Sequence, residues 1–265
     1  MTEIKINDDL ETKSCPNFFF VVATRKLEKD KDCLPIVKTL SMMNLTERVN
    51  IKVFIKFENN EGLSTVYNRF ISEHEDEIDS NSYVVFVHDD IWINDVLFFD
   101  KIISSSKKFK VIGACGGKAW NSYGNGETPV IWTHASRGAG MSGFMIHAAD
   151  ESQSQVKHDV TFEGRSIFAS NYGYSPSRTL TIDGCIICFT KQAIDSGLRF
   201  DERFKFHFYD MDVCFSAFVK KLEVGTAPIL VTHESLGYSV SQPQFLESQK
   251  MFFEKWFKKK DSQKS

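Results

Sequence analysis

What most constrains this chain is an alternation in its first half, where short apolar runs are separated by stretches with helical period. Phe18-Phe19-Phe20-Val21-Val22-Ala23 is uninterrupted, as expected of a strand covered on both faces. Ile51 to Phe57 and Tyr83-Val84-Val85-Phe86-Val87 form two more strand-like runs. Between the first two, a helix is expected from about Leu34 to Asn44, with Asp32 as its cap and Pro35 in its first turn. Between the second and third, Leu63, Val66, Tyr67, Phe70 and Ile71 share one helical face. Val111 to Cys115 reads as a fourth strand. Strands that alternate with helices imply a mostly parallel central sheet flanked by helices, so the fold class is α/β.

The alternation then breaks. Trp120 to Arg178 is rich in Gly, Ser and Asn and has only short apolar pieces such as Phe144-Met145-Ile146. It is expected to be irregular, a functional loop or lid. Strands are expected again at Thr181 to Phe189 and Ile229 to Thr232, and helices over roughly Asp210 to Leu222 and Pro243 to Lys259.

Phenylalanine, 24 of 265 residues, points to an aromatic core, and a formal net charge of −3 argues against a whole-domain nucleic-acid binder. Met1 to Ser14 lacks the apolar segment of a secretory signal. No apolar run approaches the ~20 residues of a membrane-spanning helix. A cytoplasmic location is therefore expected. Cys185 and Cys188 imitate half of a zinc motif, but no second pair completes it, and both are expected to be buried, reduced thiols.

Three segments carry groups suited to chemistry. His88-Asp89-Asp90 ends the third strand, where ligands gather in parallel α/β sheets. Adjacent carboxylates there are costly without a balancing cation, and Mg²⁺ or Mn²⁺ takes carboxylate oxygens and bridges to a diphosphate. The same two residues would equally serve as caps. Asp210 and Asp212 open a helix, where acidic groups complement the dipole. Beside Phe206, Phe208 and Tyr209, a carboxylate here also suits a general base whose pKa is raised by desolvation. The third segment is Val231-Thr232-His233-Glu234, with a histidine at the end of a strand.

Taken together, these segments resemble the family 2 glycosyltransferases and their close relatives, which have the GT-A fold, a Rossmann-like fold of nucleotide-diphospho-sugar transferases. Gly62 to Ile71 is similar to the family's helix after the second strand. His88-Asp89-Asp90 stands in the place of its Asp-x-Asp motif, and Ile182-Asp183-Gly184-Cys185 resembles its Asp-Gly strand. Phe200-Asp201-Glu202-Arg203-Phe204 through Asp210-Met211-Asp212-Val213-Cys214 resembles its phenylalanine-rich turn and acidic pair. His233 falls where many members place a late histidine, and the resemblance spans about Phe18 to Ser239.

The resemblance implies an inverting transfer of a sugar from a nucleotide-sugar donor, a UDP-sugar foremost, to a hydroxyl of a glycan or lipid-linked acceptor. It implies that Asp90 and His233 hold a divalent metal, Mn²⁺ or Mg²⁺, and that Asp210 is the base. Thr24, Arg25, Glu58, Asn68, His88, Asp89 and Asp183 would line the donor site. Three departures stand out. His88 occupies the first Asp-x-Asp position if Asp90 is the last, which leaves Asp89 and Asp90 as alternative ligands. Tyr67 replaces the usual arginine before Asn68, and Tyr209 replaces the acidic residue often found before the catalytic aspartate.

The implied organisation is one domain. Residues 1–16 form a flexible terminus, 17–119 a nucleotide-binding half, 120–180 an insertion or lid, 181–242 an acceptor and catalytic half, and 243–265 a helix with a basic tail. Trp132, His134, Arg137 and Tyr172 are candidates for acceptor contact in the insertion. Phe245, Phe252, Phe253, Trp256 and Phe257, followed by Lys258-Lys259-Lys260, suit either packing on the domain or peripheral contact with an anionic membrane. Two rival functions are a sugar nucleotidyltransferase and a non-catalytic nucleotide-sugar-binding module. Against the first stands the lack of glycine in Ala23-Thr24-Arg25-Lys26-Leu27-Glu28; against the second stands the presence of Asp90, Asp210 and His233.

Overall fold

The computed structural model describes residues 1–5, 15–43, 48–118, 140–150, 161–162, 165–235 and 242–257. The first half holds β1 (Thr2–Lys5), β2 (Asn17–Ala23), α1 (Pro35–Met43), β3 (Asn50–Lys56), α2 (Leu63–Glu73), β4 (Ser82–His88), β5 (Ile91–Ile93), α3 (Phe98–Ser106), β6 (Val111–Gly113) and β7 (Cys115–Gly117). The second half holds β8 (Met141–Asp150), β9 (Thr161–Phe162), β10 (Arg165–Gly173), β11 (Thr181–Ile182), β12 (Ile186–Thr190), α4 (Lys191–Asp195), α5 (Tyr209–Val219), β13 (Val224–Thr226), β14 (Val231–His233) and α6 (Pro243–Trp256).

The fold is α/β. Its central sheet has seven strands in the order β1-β3-β2-β4-β12-β6-β13. β2, β3, β4, β6 and β13 run one way, and only β1 and β12 run against them, so the sheet is mostly parallel. β2 explains why its sequence is apolar throughout. Successive side chains leave a strand on opposite faces. Phe19 packs on Phe54 and on Phe70 of α2, with ring centroids 6.3 and 6.1 Å apart. Phe18 and Phe20 point the other way, to Phe99 at 4.8 Å and Phe98 at 6.2 Å on α3. All three are fully buried, and burying each stabilises the fold by roughly 1.5–3 kcal/mol.

A second sheet runs β11-β7-β8-β10-β9, with β14 paired to β8 and β5 to β14. Within the stretch expected to be irregular, it places regular strands at Met141–Asp150 and Arg165–Gly173. β8 and β10 form a long antiparallel pair, from Arg165 opposite Asp150 to Gly173 opposite Gly143. The strand was illegible because its small residues answer to close packing rather than apolar pattern. At Gly143, with φ +110°, a side chain would meet the Ala114 carbonyl oxygen at 2.2 Å. Trp132, His134 and Arg137 lie outside the described residues, whereas Tyr172 is on β10.

The last helix follows the packing alternative. The aromatic face of α6 considered for a membrane is used inside the protein: Phe245 and Phe252 are buried, both against Phe208, at 5.1 and 5.3 Å. Lys255 and Trp256 reach the fully buried Asp212 on α5, with Nζ–Oδ1 at 2.7 Å and Nε1–Oδ1 at 2.8 Å. Lys258 to Lys260 lie outside the described residues. Among the described residues no helix is long and apolar enough to cross a membrane.

Candidate active site

Sheet register gathers the chemistry. Ala23 on β2 lies opposite both Lys56 on β3 and His88 on β4, so three parallel strands end level. Because β12 is antiparallel, it begins where β4 ends: Ile186 faces Val87, and the His88 N–H donates to the Cys185 carbonyl at 3.0 Å. The turn through Asp183 and Gly184 is thereby delivered beside His88-Asp89-Asp90. β14 sets His233 opposite Ile91, and the Glu234 N–H donates to the Asp90 carbonyl at 3.0 Å. The first turn of α5 closes the site, with the Gly184 N–H donating to Asp210 Oδ2 at 3.1 Å.

His88, Asp90 and His233 each present one ligand atom, and these atoms lie within 4.8 Å of one another. Asp90 Oδ1 is 3.4 Å from His233 Nε2, yet it is buried and has no hydrogen-bond partner among the described residues. That separation is an ion-pair contact, too long to satisfy the oxygen as a hydrogen bond. A buried carboxylate oxygen without a donor is costly, and a divalent cation satisfies it directly. Two imidazoles and a carboxylate fit Mn²⁺ better than Mg²⁺, which prefers oxygen ligands.

The charges of this trio are interlocked. Burial lowers the pKa of His88, which favours the neutral ring a metal needs. For His233 burial also works against the charged ring, but the adjacent Asp90 carboxylate outweighs it and raises the pKa. For Asp90 burial pushes upward, and His233 overcomes it to hold the carboxyl below its ordinary value.

Asp89 faces elsewhere. Its Oδ2 accepts the Thr24 hydroxyl at 2.5 Å, joining the ends of β4 and β2. Asp210 is sunk among Gly184, Met211 and Asp183, and accepts the Met211 N–H at 2.8 Å. Burial, then the Asp183 charge, push its carboxyl from 3.8 up to about 7. Arg25 and Glu58 are exposed just past β2 and β3. They are drawn together by backbone bonds from the Asn59 N–H to the Thr24 carbonyl, 2.8 Å, and from the Glu58 N–H to the Lys26 carbonyl, 3.0 Å.

Asn68 stands apart from this cluster. Its side-chain amide bonds both backbone groups of Phe200, donating at 2.8 Å and accepting at 2.9 Å, and so clamps the phenylalanine-rich turn to α2. Asp212 holds α6 and takes no part in the cluster. Cys185 and Cys188 are buried free thiols, as expected. What the sequence reading did not foresee is the direction of the aromatic neighbours. Phe206, 45% exposed, stacks on His88 at 6.1 Å, and the Tyr209 hydroxyl meets His88 Nε2 at 2.9 Å. An aromatic next to an acidic residue was visible; which group it served was not.

No family model matches the sequence, and no curated protein is similar to it in sequence. Among solved structures, GalNAc-T7 crystallised with UDP, GalNAc and Mn²⁺ has a TM-score of 0.48 and 11% identity, over 94% of this chain and 49% of that one. A protein from STIV has a TM-score of 0.46 and 8% identity, over 83% and 86% of the two chains. S. aureus TarS 1-349 has a TM-score of 0.41 and 14% identity, over 82% and 60%. These likenesses are of general chain course and carry no information about activity.

Proposed function

We propose that this chain is a metal-dependent, inverting glycosyltransferase of GT-A type, taking a sugar from a nucleoside diphosphate sugar, a UDP-sugar first, to a hydroxyl of a glycan or lipid-linked acceptor. The observation that carries this reading is the buried Asp90 Oδ1 beside His88 and His233, paired in charge with His233 but without a hydrogen bond among the described residues, with the raised carboxyl of Asp210 across the Asp183-Gly184 turn. His88, Asp90 and His233 would hold the metal. When bound, it supplies Lewis-acid neutralisation of the charge on the departing diphosphate. Asp210 takes the proton of the acceptor hydroxyl as that oxygen bonds to the anomeric carbon and the bond from this carbon to the diphosphate oxygen breaks. Attack opposite the leaving group inverts the centre. Thr24, Arg25 and Glu58, at the ends of β2 and β3, would face the nucleoside, and Asp183 the sugar. Asp89 would hold Thr24 in place rather than touch the metal.

The test is nucleoside diphosphate release from a panel of nucleotide sugars, with Mn²⁺ or with EDTA. Release from one donor that EDTA suppresses is expected. Absence of release together with absence of a nucleotide-dependent thermal shift overturns the reading; a shift without release favours the binding module.

A further inference from the structure

Two departures from the family pattern meet in space. His88 stands where an aspartate is expected and Tyr209 where an acidic residue is expected, yet they are in direct contact. The Tyr209 hydroxyl lies 2.6 Å from the Gly184 carbonyl oxygen and 2.9 Å from His88 Nε2. A carbonyl only accepts, and a phenol has one proton to give. That proton therefore goes to Gly184, and the hydroxyl accepts from an Nε2–H of His88. In the neutral ring the lone pair is then on Nδ1. Tyr209 is buried, 3% exposed, and its ring packs against those of Tyr67 at 6.1 Å and Phe200 at 6.0 Å, so the hydroxyl is held in place by the core.

We propose that Tyr209 is a positioning residue that fixes the tautomer and ring angle of His88, presenting Nδ1 to a divalent cation. This rests on the reading of His88 as a ligand in the site above. A carboxylate ligand needs no such partner, because both its oxygens bind a metal; an imidazole does, because the wrong tautomer points a proton at the ion. A histidine in the motif and a buried phenol behind it therefore form one unit. Gly184 completes it, since a side chain there would lie 2.5 Å from the Tyr209 oxygen.

The experiment uses the full chain without metal, with ¹⁵N-labelled histidine, near about pH 8. Long-range proton–nitrogen correlation reads the His88 tautomer, assigned with a His88→Gln variant. The proton is expected on Nε2. In Tyr209→Phe the His88 signals should move toward the Nδ1–H form while the other histidines, six of the seven, keep theirs. Titration with Mn²⁺ alone should show roughly 10–100-fold weaker binding in that variant. Gly184→Ala, which displaces the hydroxyl without removing it, should shift both readouts the same way. A wild-type ring protonated on Nδ1 overturns the proposal, and that result needs no variant to fold. So does a folded Tyr209→Phe with an unchanged tautomer and unchanged Mn²⁺ affinity. Neither readout involves a sugar nucleotide, so failure to transfer any sugar would leave this inference standing and remove only the proposed activity.

Discussion

Gly184 and Asp210, 26 positions apart, are joined by a hydrogen bond from the Gly184 backbone N–H to Asp210 Oδ2 at 3.1 Å. It ties the turn that opens β12 to the first turn of α5. The carboxyl is thereby held deep beside Asp183, where burial first and that negative charge second bring its pKa to about 7. A carboxyl with that pKa is able to take up a proton near neutrality.

Asp210→Asn should keep one of the two backbone hydrogen bonds, because an amide has a single acceptor oxygen, and should lose the base. Turnover is expected to fall roughly 10²–10⁴-fold with donor binding largely kept. In the wild type, turnover should rise with pH through about 7 and then level off, as Asp210 gives up its proton. The variant should lack this limb. Steady-state kinetics across pH reads both effects, and an unchanged turnover would remove Asp210 from the mechanism.

The same group should weaken the fold at high pH. Its folded pKa, about 7, lies above the ordinary 3.8, so the native state holds the proton more tightly than the unfolded chain does. Stability is therefore lost as pH rises between those values and stays lost above them. Asp210→Asn should melt higher than the wild type at about pH 8 and close to it at about pH 4, by calorimetry. An equal difference at both would mean that Asp210 is not the group that titrates.

Asp90→Ala should remove the response to metal. Mn²⁺ should raise the melting temperature of the wild type by mass action, and more than Mg²⁺ does, because two of the three ligands are imidazoles. The variant should show no Mn²⁺ response. Without metal it should melt lower than the wild type near neutral pH, because the carboxyl is held below its ordinary pKa by His233 and that pairing is lost. Retained Mn²⁺ stabilisation in Asp90→Ala would place the metal elsewhere.

Lys255→Met should separate stability from chemistry. Lys255 Nζ bridges Asp212 on α5, at 2.7 Å, and Asp201 Oδ2, at 2.9 Å. Removing it leaves the buried Asp212 with only the Trp256 N–H, at 2.8 Å, among the described residues. A loss of roughly 3 kcal/mol is expected, seen as a lower urea midpoint with an unchanged slope. Turnover below the melting transition should be retained, because Lys255 touches none of the groups around Asp90 and Asp210.

Much of the candidate site was legible because its residues sit at element ends that local pattern marks. The apolar run of β4 stops at His88, and the apolar patterning of α5 starts beside Asp210, so sequence alone placed both near strand and helix termini. Asn68 shows the limit. Its place in a familiar helix suggested the donor, whereas its amide clamps the Phe200 backbone. A polar side chain on a helix has the same local signature whether it meets a ligand or a distant loop.

What the sequence by itself determined was the set of central strands, β2, β3 and β4, the helix α2 between two of them, and the aromatic core. Side-chain period and apolar composition encode these within a few residues, and no distant partner is needed to read them. Only the tertiary structure decided that β12 enters antiparallel between β4 and β6, that β8 and β10 pair across residues 141–173, and that Asp90 faces His233 while Asp89 turns to Thr24. A strand's direction and partner depend on how the whole sheet closes, and successive residues at a strand's end point opposite ways. Those facts are properties of the assembled chain, and they set which carboxylate, which imidazole and which phenol meet.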